Sequence, residues 1–104
     1  MFAASDLRAE IEKRLQNYLS RDKSGIRKAL LALLLKMKSV TVTQVHSLLS
    51  SRFAVSMRSV ASMLGTMAAK LGILSVKREK DGDAGVYELK PQYASMIEHL
   101  VSLT

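Results

Sequence analysis

The segment from residue 26 to residue 37 constrains the fold more than any other part of the chain. It contains an unbroken apolar run, Ala29 to Leu35, and its apolar residues recur at the spacing of an α-helix. Leu31 and Leu35 extend the apolar surface round nearly the whole circumference of that helix. A helix of this kind lies at the centre of a hydrophobic core or is buried in a partner protein.

Length and composition exclude several classes of protein. A chain of 104 residues is the size of one domain, and we predict that residues 1–104 form a single domain. The chain has no Cys and only two His, which excludes disulfide scaffolds and thiol nucleophiles and argues against a metal site. The apolar run is far shorter than the ~20 residues of a membrane-spanning helix, and the N-terminus lacks the pattern of a signal peptide. We therefore expect a cytoplasmic protein without a membrane segment.

The basic charge is concentrated in the middle of the chain. Sixteen Lys and Arg against nine Asp and Glu give a formal net charge of +7. Residues 13–80 alone carry 14 of these bases and only two acids, Asp22 and Glu79, a net charge of +12 between two acidic ends. Such a segment is typical either of a surface that keeps the protein soluble or of a surface that binds a polyanion, usually nucleic acid.

Helical spacing of apolar residues predicts two further helices in the first half of the chain. The first helix starts at Ser5 as its N-cap and is ended by residues 20–25, which are rich in helix breakers. Residues 39–42 are rich in β-branched side chains and predict either a short strand with one pairing or an extended connector. A third helix is predicted over residues 43–52, with Thr43 as its N-cap. We expect this third helix to bury Val45, Leu48 and Leu49.

The second half of the chain combines a helix, a β-hairpin and a last helix. The fourth helix begins after Ser56, its predicted N-cap, and ends near Gly72. Residues 73–79 and 86–90 are rich in β-branched side chains and flank a turn-rich segment, which predicts a hairpin. Pro91 ends the second strand, and an amphipathic helix follows.

From Thr43 to Lys90 this order of elements resembles a winged helix-turn-helix domain, preceded by the leading helix Gly25–Met37. The whole sequence is similar to a family of small uncharacterised winged-helix proteins from archaea. The resemblance implies a mainly α fold with a small β-hairpin wing, in the α+β class. It divides the domain into an N-terminal helix, a winged core and a C-terminal helix, at residues 1–20, 21–90 and 91–104.

The resemblance also implies binding of double-stranded DNA by a transcriptional regulator, with the fourth helix as recognition helix in the major groove. Arg58 lies in the first turn of that helix, where its guanidinium can bond a guanine. The polar face of the fourth helix contains no Asn or Gln, so we expect modest sequence specificity. The candidate contacts of the fourth helix, the third helix and the wing are Arg58, Ser59, Ser62, Thr66, Lys70, Thr43, Gln44, Lys77, Arg78 and Lys80.

For two groups of charged residues, the sequence allows more than one role. Asp81 and Asp83 at the tip of the wing would repel phosphates, which favours contact through the strand, or they serve only the turn. A second basic group lies at the start of the second helix, against the helix dipole. Phosphate contact and pairing with acids of the first helix both account for this group, which comprises Arg21, Lys23, Arg27 and Lys28.

The sequence also leaves open which molecules the protein binds. The first and last helices each have one apolar stripe, which is buried either in a homodimer or against the chain's own core. The alternative to DNA binding is a winged-helix module that docks on another protein, and it rests on Met63, which we expect to be exposed. The carboxylates pair on a shared helix face only at Asp6 and Glu10, on the exposed first helix, and no metal-ligand spacing or phosphate-binding Gly loop is present. We therefore expect no enzymatic activity, metal or cofactor.

Overall fold

The computed structural model describes residues 4–77 and 85–103, which form five α-helices and three short strands. The fold is mainly helical with one small antiparallel sheet, so the predicted α+β class with a winged-helix-like arrangement is confirmed. In chain order the elements are α1 (Ala4–Ser20), α2 (Ile26–Met37), β1 (Ser39–Val40), α3 (Val42–Leu49), α4 (Met57–Ala69), β2 (Leu74–Lys77), β3 (Val86–Leu89), a 3-10 turn (Pro91–Tyr93) and α5 (Ala94–Ser102).

Helix α2 lies at the centre of the core. Leu30, Leu31 and Leu34 are completely buried, and α2 packs against α1, α3 and α5. Its other face is less covered, since Ala32 is exposed and Leu33 only half-buried. The segment predicted to be central is therefore central, and part of its apolar circumference still reaches the surface.

The sheet contains one strand more than the predicted hairpin. β3 lies between β1 and β2 and is antiparallel to both, with Ser39 opposite Glu88 and Leu74 opposite Leu89. The extended stretch after α2 thus becomes an edge strand, because its backbone pairs with β3. The turn of the predicted hairpin falls in residues 78–84, outside the described residues.

Helices α1 and α5 fold back on the core of their own chain. Their apolar stripes are buried except for Leu7, which is 48% exposed, and the Arg8 guanidinium in α1 donates a hydrogen bond of 2.8 Å to the Gln92 carbonyl before α5. The stripes on which we based a homodimer are therefore covered within one chain, and the homodimer stays a prediction. The buried stripe residues are Ile11, Leu15, Leu19, Met96, Ile97 and Leu100.

The helix ends correct three of the predicted positions. Helix α3 is capped by Thr41 and not by Thr43: the Gln44 backbone N–H donates to the Thr41 hydroxyl at 3.2 Å, and the Thr41 N–H donates to the Gln44 amide oxygen at 2.9 Å. This reciprocal capping box starts the helix at Val42, and the helix ends at Leu49 rather than at residue 52. Helix α1 begins at Ala4, so Ser5 lies inside it rather than before it.

The outer end of α3 also differs from the prediction. Val45 and Leu49 face the core, whereas Leu48 is 45% exposed. Val45 and Leu49 lie one helical turn apart and share the inward face, whereas Leu48 lies at the edge of that face and reaches the surface. For α4, in contrast, Ser56 is the N-cap as predicted, and Gly72 adopts a left-handed conformation (φ 75°) just beyond the helix end.

Candidate nucleic-acid interface

Helix α4 presents the polar face expected of a recognition helix. Arg58, Ser59 and Ser62 are exposed in its first two turns. Ser59 also belongs to the helix cap, because its backbone N–H donates to the Ser56 hydroxyl at 3.1 Å. Within the described residues Arg58 makes no ion pair, so its guanidinium is available for an anionic partner.

The second half of the same face lies in a cleft between α4 and α1. The cleft has a volume of about 540 Å³ and opens to solvent. Ser62, Thr66 and Lys70 line it from α4, which brings together three of the candidate residues. The opposite wall comes from α1 and its neighbours, with Arg14, Asn17, Tyr18, Arg21 and Arg27. We call this depression the α1–α4 cleft.

The α1–α4 cleft is strongly electropositive. Four cationic side chains line it, and no carboxylate does so among the described residues. Arg14 is partly neutralised by Glu10 at 3.4 Å, and its guanidinium also lies 3.4 Å from the Lys70 carbonyl oxygen across the cleft. Arg21 and Lys70 form no ion pair in the described part of the chain. Such a surface attracts anions of any kind, phosphates included.

Arg27 is held in place by Tyr18 at the base of this cleft. Its guanidinium lies 4.2 Å from the centre of the Tyr18 ring and donates a hydrogen bond of 2.9 Å to the Tyr18 carbonyl oxygen. Burial raises the pKa of the Tyr18 phenol, and the positive charge of Arg27 counteracts part of this rise. The cation is thus fixed in orientation before any ligand binds.

Asp22 explains why bases are tolerated at the start of α2. Its carboxylate accepts hydrogen bonds from the backbone N–H groups of Arg27 and Lys28, at 3.2 and 3.1 Å. A negative charge at a helix N-terminus is favourable and offsets the bases beside it. Asp22, from the segment that connects α1 and α2, therefore supplies a negative charge at this helix start.

The comparisons with known proteins place the chain in a family. Residues 15–97 match the family described as "Protein of unknown function (DUF2551)". The chain belongs to this family. An uncharacterized protein from Archaeoglobus fulgidus is 40% identical to it over 96 residues, which cover 91% of this chain and 96% of the relative. No solved structure matches.

In this DUF2551 protein, the candidate DNA contacts of α3 and of the predicted wing are less available to bind DNA than the residues that line the α1–α4 cleft. Lys77 at the end of β2 pairs with Glu88 of β3 at 3.4 Å, and the Gln44 amide is used in the capping box of α3. Thr43 is exposed in the first turn of α3 and does not cap it. Arg78 and Lys80 lie outside the described residues, as do Asp81 and Asp83.

Sequence reasoning missed the contribution of α1 to this site. Arg14 and Asn17 lie three residues apart on one polar face of α1, and Arg21 follows just beyond the end of that helix. This spacing was visible in the sequence, but only the position of α1 across from α4 makes these residues part of a cleft. Met63 lines the same cleft and is half-buried, so the expectation that it is exposed was wrong.

The chain has two His residues, His46 and His99. His46 is partly buried, and its Nε2 lies 2.9 Å from the Val55 carbonyl oxygen, as expected of a structural histidine. His99 is exposed on α5. In the described ranges of this DUF2551 protein no group of side chains has the composition of a metal site, and no helix is long and apolar enough to cross a membrane.

Proposed function

We propose that this protein binds double-stranded DNA and acts as a transcriptional regulator, with α4 as its recognition helix and the phosphate backbone in the α1–α4 cleft. The observation that carries the proposal is the cleft itself, where Ser62, Thr66 and Lys70 of α4 face the arginines of α1. The order α2, β1, α3, α4, β2, β3 supports it, because winged helix-turn-helix domains have the same order.

The chemistry of the cleft suits a phosphodiester backbone. Guanidinium groups donate two parallel hydrogen bonds to phosphate oxygens, and hydroxyl and amide groups add neutral donors. Arg14, Arg21, Asn17, Ser62 and Thr66 supply these groups along the two walls. Because the cleft is open at the surface, a strand can lie along it.

The specificity expected of this interface is modest. Phosphate contacts fix the position of a protein on DNA but carry no sequence information. On the described face of α4, only Arg58 has the two-pronged geometry that reads a base edge. Most of the binding free energy should therefore be electrostatic and strongly dependent on salt.

The test is a fluorescence anisotropy titration of a labelled duplex at several salt concentrations. Four cleft cations that each neutralise one phosphate give a slope of log K against log [salt] of about −3.6, or about 100-fold weaker binding between about 50 and 200 mM salt. Arg21→Ala should make this slope less steep by about one.

Lys13→Ala is the matched control, because Lys13 is an exposed base of α1 that does not line the cleft. It removes the same charge and should change the slope less than Arg21→Ala does. Absence of binding at about 50 mM salt, or a slope near zero, would contradict the proposal. Equal effects of the two substitutions would place the phosphates outside the cleft.

A further inference from the structure

One face of α2 is apolar but is not part of the core. Ala29, Ala32, Leu33 and Lys36 lie at intervals of three, one and three residues, so they form a single stripe along the helix. Of these, Ala32 and Lys36 are exposed, and Ala29 and Leu33 are half-buried. This stripe accounts for the apolar circumference of α2 that the core does not use.

The stripe forms one wall of a surface groove, and the end of α3 forms the other. Leu48, Leu49 and Arg52 line the groove opposite the stripe, around a depression of about 260 Å³. A second depression of about 420 Å³ continues it towards the start of α2 and shares Ala29, Ala32 and Arg52 with the first. We call the two together the α2–α3 groove.

The floor of the α2–α3 groove is suited to apolar side chains. Ala29 and Ala32 are small and leave room above α2, while Leu33 and Leu48 provide apolar walls. Leu48 is 45% exposed, although it is a large apolar residue in the last turn of a helix. The two depressions lie in line along α2, an elongated arrangement that suits the anchoring side chains of a helical peptide.

The rim of the groove is cationic. Lys36 and Arg52 are exposed on opposite walls, and no carboxylate lines either depression among the described residues. The Arg52 guanidinium lies 5.5 Å from the centre of the Phe53 ring, which leaves its outer edge open to an anion. An apolar floor between two cations is complementary to a helix with an apolar stripe flanked by acids.

We propose that the α2–α3 groove binds an acidic amphipathic helix of a partner protein. Apolar side chains of that helix pack on Ala32 and Leu48, and its carboxylates pair with Lys36 and Arg52. DNA does not fit this description, because an apolar floor offers nothing to phosphates. The groove shares no lining residue with the α1–α4 cleft, so this proposal goes beyond DNA binding and does not depend on it.

The test uses a fluorescein-labelled synthetic peptide of Leu, Ala and Glu, with Leu at helical spacing on one face. Fluorescence anisotropy with the full chain should show saturable binding in the micromolar range. Leu48→Glu and Ala32→Glu should each weaken it at least about tenfold, since each places a charge where an anchoring side chain packs. Both substituted side chains are exposed, and circular dichroism verifies that the variants are folded.

Ala9→Glu is the matched control, because it adds the same charge at an exposed position of α1 away from the groove. It should change the affinity by less than about twofold. A peptide of the same composition in scrambled order should not bind. If the designed peptide fails to bind, if the scrambled peptide binds equally well, or if Leu48→Glu behaves as Ala9→Glu does, the proposal is wrong. Displacement of the bound peptide from the groove by duplex DNA would also contradict the proposal.

Discussion

The α1–α4 cleft and the α2–α3 groove are both surface depressions with cationic walls, yet their floors differ in chemistry. The cleft places hydroxyl and amide groups of Ser62, Thr66 and Asn17 among its cations. The groove places Ala32, Leu33 and Leu48 between its cations. Hydroxyl and amide groups donate further hydrogen bonds to a phosphate. Apolar side chains instead favour a partner that buries its own apolar side chains against them.

The comparison shows that positive charge alone does not identify the partner of a basic surface. The net charge of this chain, taken as one total, predicts only that its surface binds a polyanion. The groups between the cations decide which anion each depression takes. The following substitutions compare residues of the two depressions and of the helices that form them, from the largest expected effect to the smallest.

The largest effect is expected for Leu15, a buried residue of α1, in comparison with Leu48, an exposed residue that lines the groove. Leu15 of α1 is completely buried, so Leu15→Ala should lower the free energy of unfolding by about 2–5 kcal/mol through lost contacts and a cavity. Leu48→Ala should lower it by less than about 1 kcal/mol, because Leu48 is 45% exposed. Denaturant unfolding followed by circular dichroism measures both. Equal losses would mean that Leu48 belongs to the core, as its helical position suggested.

Charge reversal distinguishes the two cationic surfaces. Arg21→Glu in the cleft should weaken binding of a labelled duplex about tenfold at about 50 mM salt, because it replaces a phosphate contact by a repulsion. Lys36→Glu beside the groove changes the net charge equally and should weaken binding by less than about threefold. Anisotropy titrations compare them directly. A larger effect of Lys36→Glu would move the DNA to the groove.

A cap substitution tests the start of α3, the helix that forms one wall of the groove. Thr41→Ala removes the hydroxyl that accepts from the Gln44 backbone N–H and should lower the free energy of unfolding by about 1 kcal/mol. Thr43→Ala, the position first predicted as the cap, should change it by no more than about 0.5 kcal/mol. Thermal or denaturant unfolding gives both values. The reverse order would restore Thr43 as the cap.

The smallest effect concerns the titration of Tyr18 at the base of the cleft. Burial raises the pKa of its phenol above the ordinary value near 10, so the stability linked to its proton is complete below that pH and declines as pH rises through the raised pKa. Ultraviolet absorbance of the phenolate, with Tyr18→Phe subtracted, measures this pKa. Arg27→Gln should raise it further, since the counteracting positive charge is removed. A Tyr18 pKa at or below 10 contradicts the expectation.

Much of the fold was predictable because its signals are local. The N-cap at Ser56, the stop at Gly72 and the helical spacing in α2 and α4 depend on residues a few positions apart. The prediction failed at α3, where two threonines compete for one cap. Only Thr41 has a Gln three residues later, which completes a capping box. The resulting start of α3, together with the inward positions of Val45 and Leu49, leaves Leu48 exposed.

The candidate site was predictable only in part. The polar residues of α4 were identified from its helical face, and three of them lie in the cleft. Arg14 was not among the predicted contacts, and phosphate contact was only one of two alternatives for Arg21, because the role of both depends on the position of α1 across the cleft from α4. Contacts between positions so far apart in the chain leave no periodic pattern in a single sequence.

The sequence by itself determined the element order, the central place of α2 and the position of most helix ends, since hydrophobic periodicity and capping act within a few residues. It also determined that the middle of the chain is basic. Only the tertiary structure decided how that charge is divided between two surfaces with different floors. The reason is physical: the tertiary structure places α1 across a cleft from α4 and packs α2 on α3, so side chains from distant segments become neighbours that set what each cation can bind.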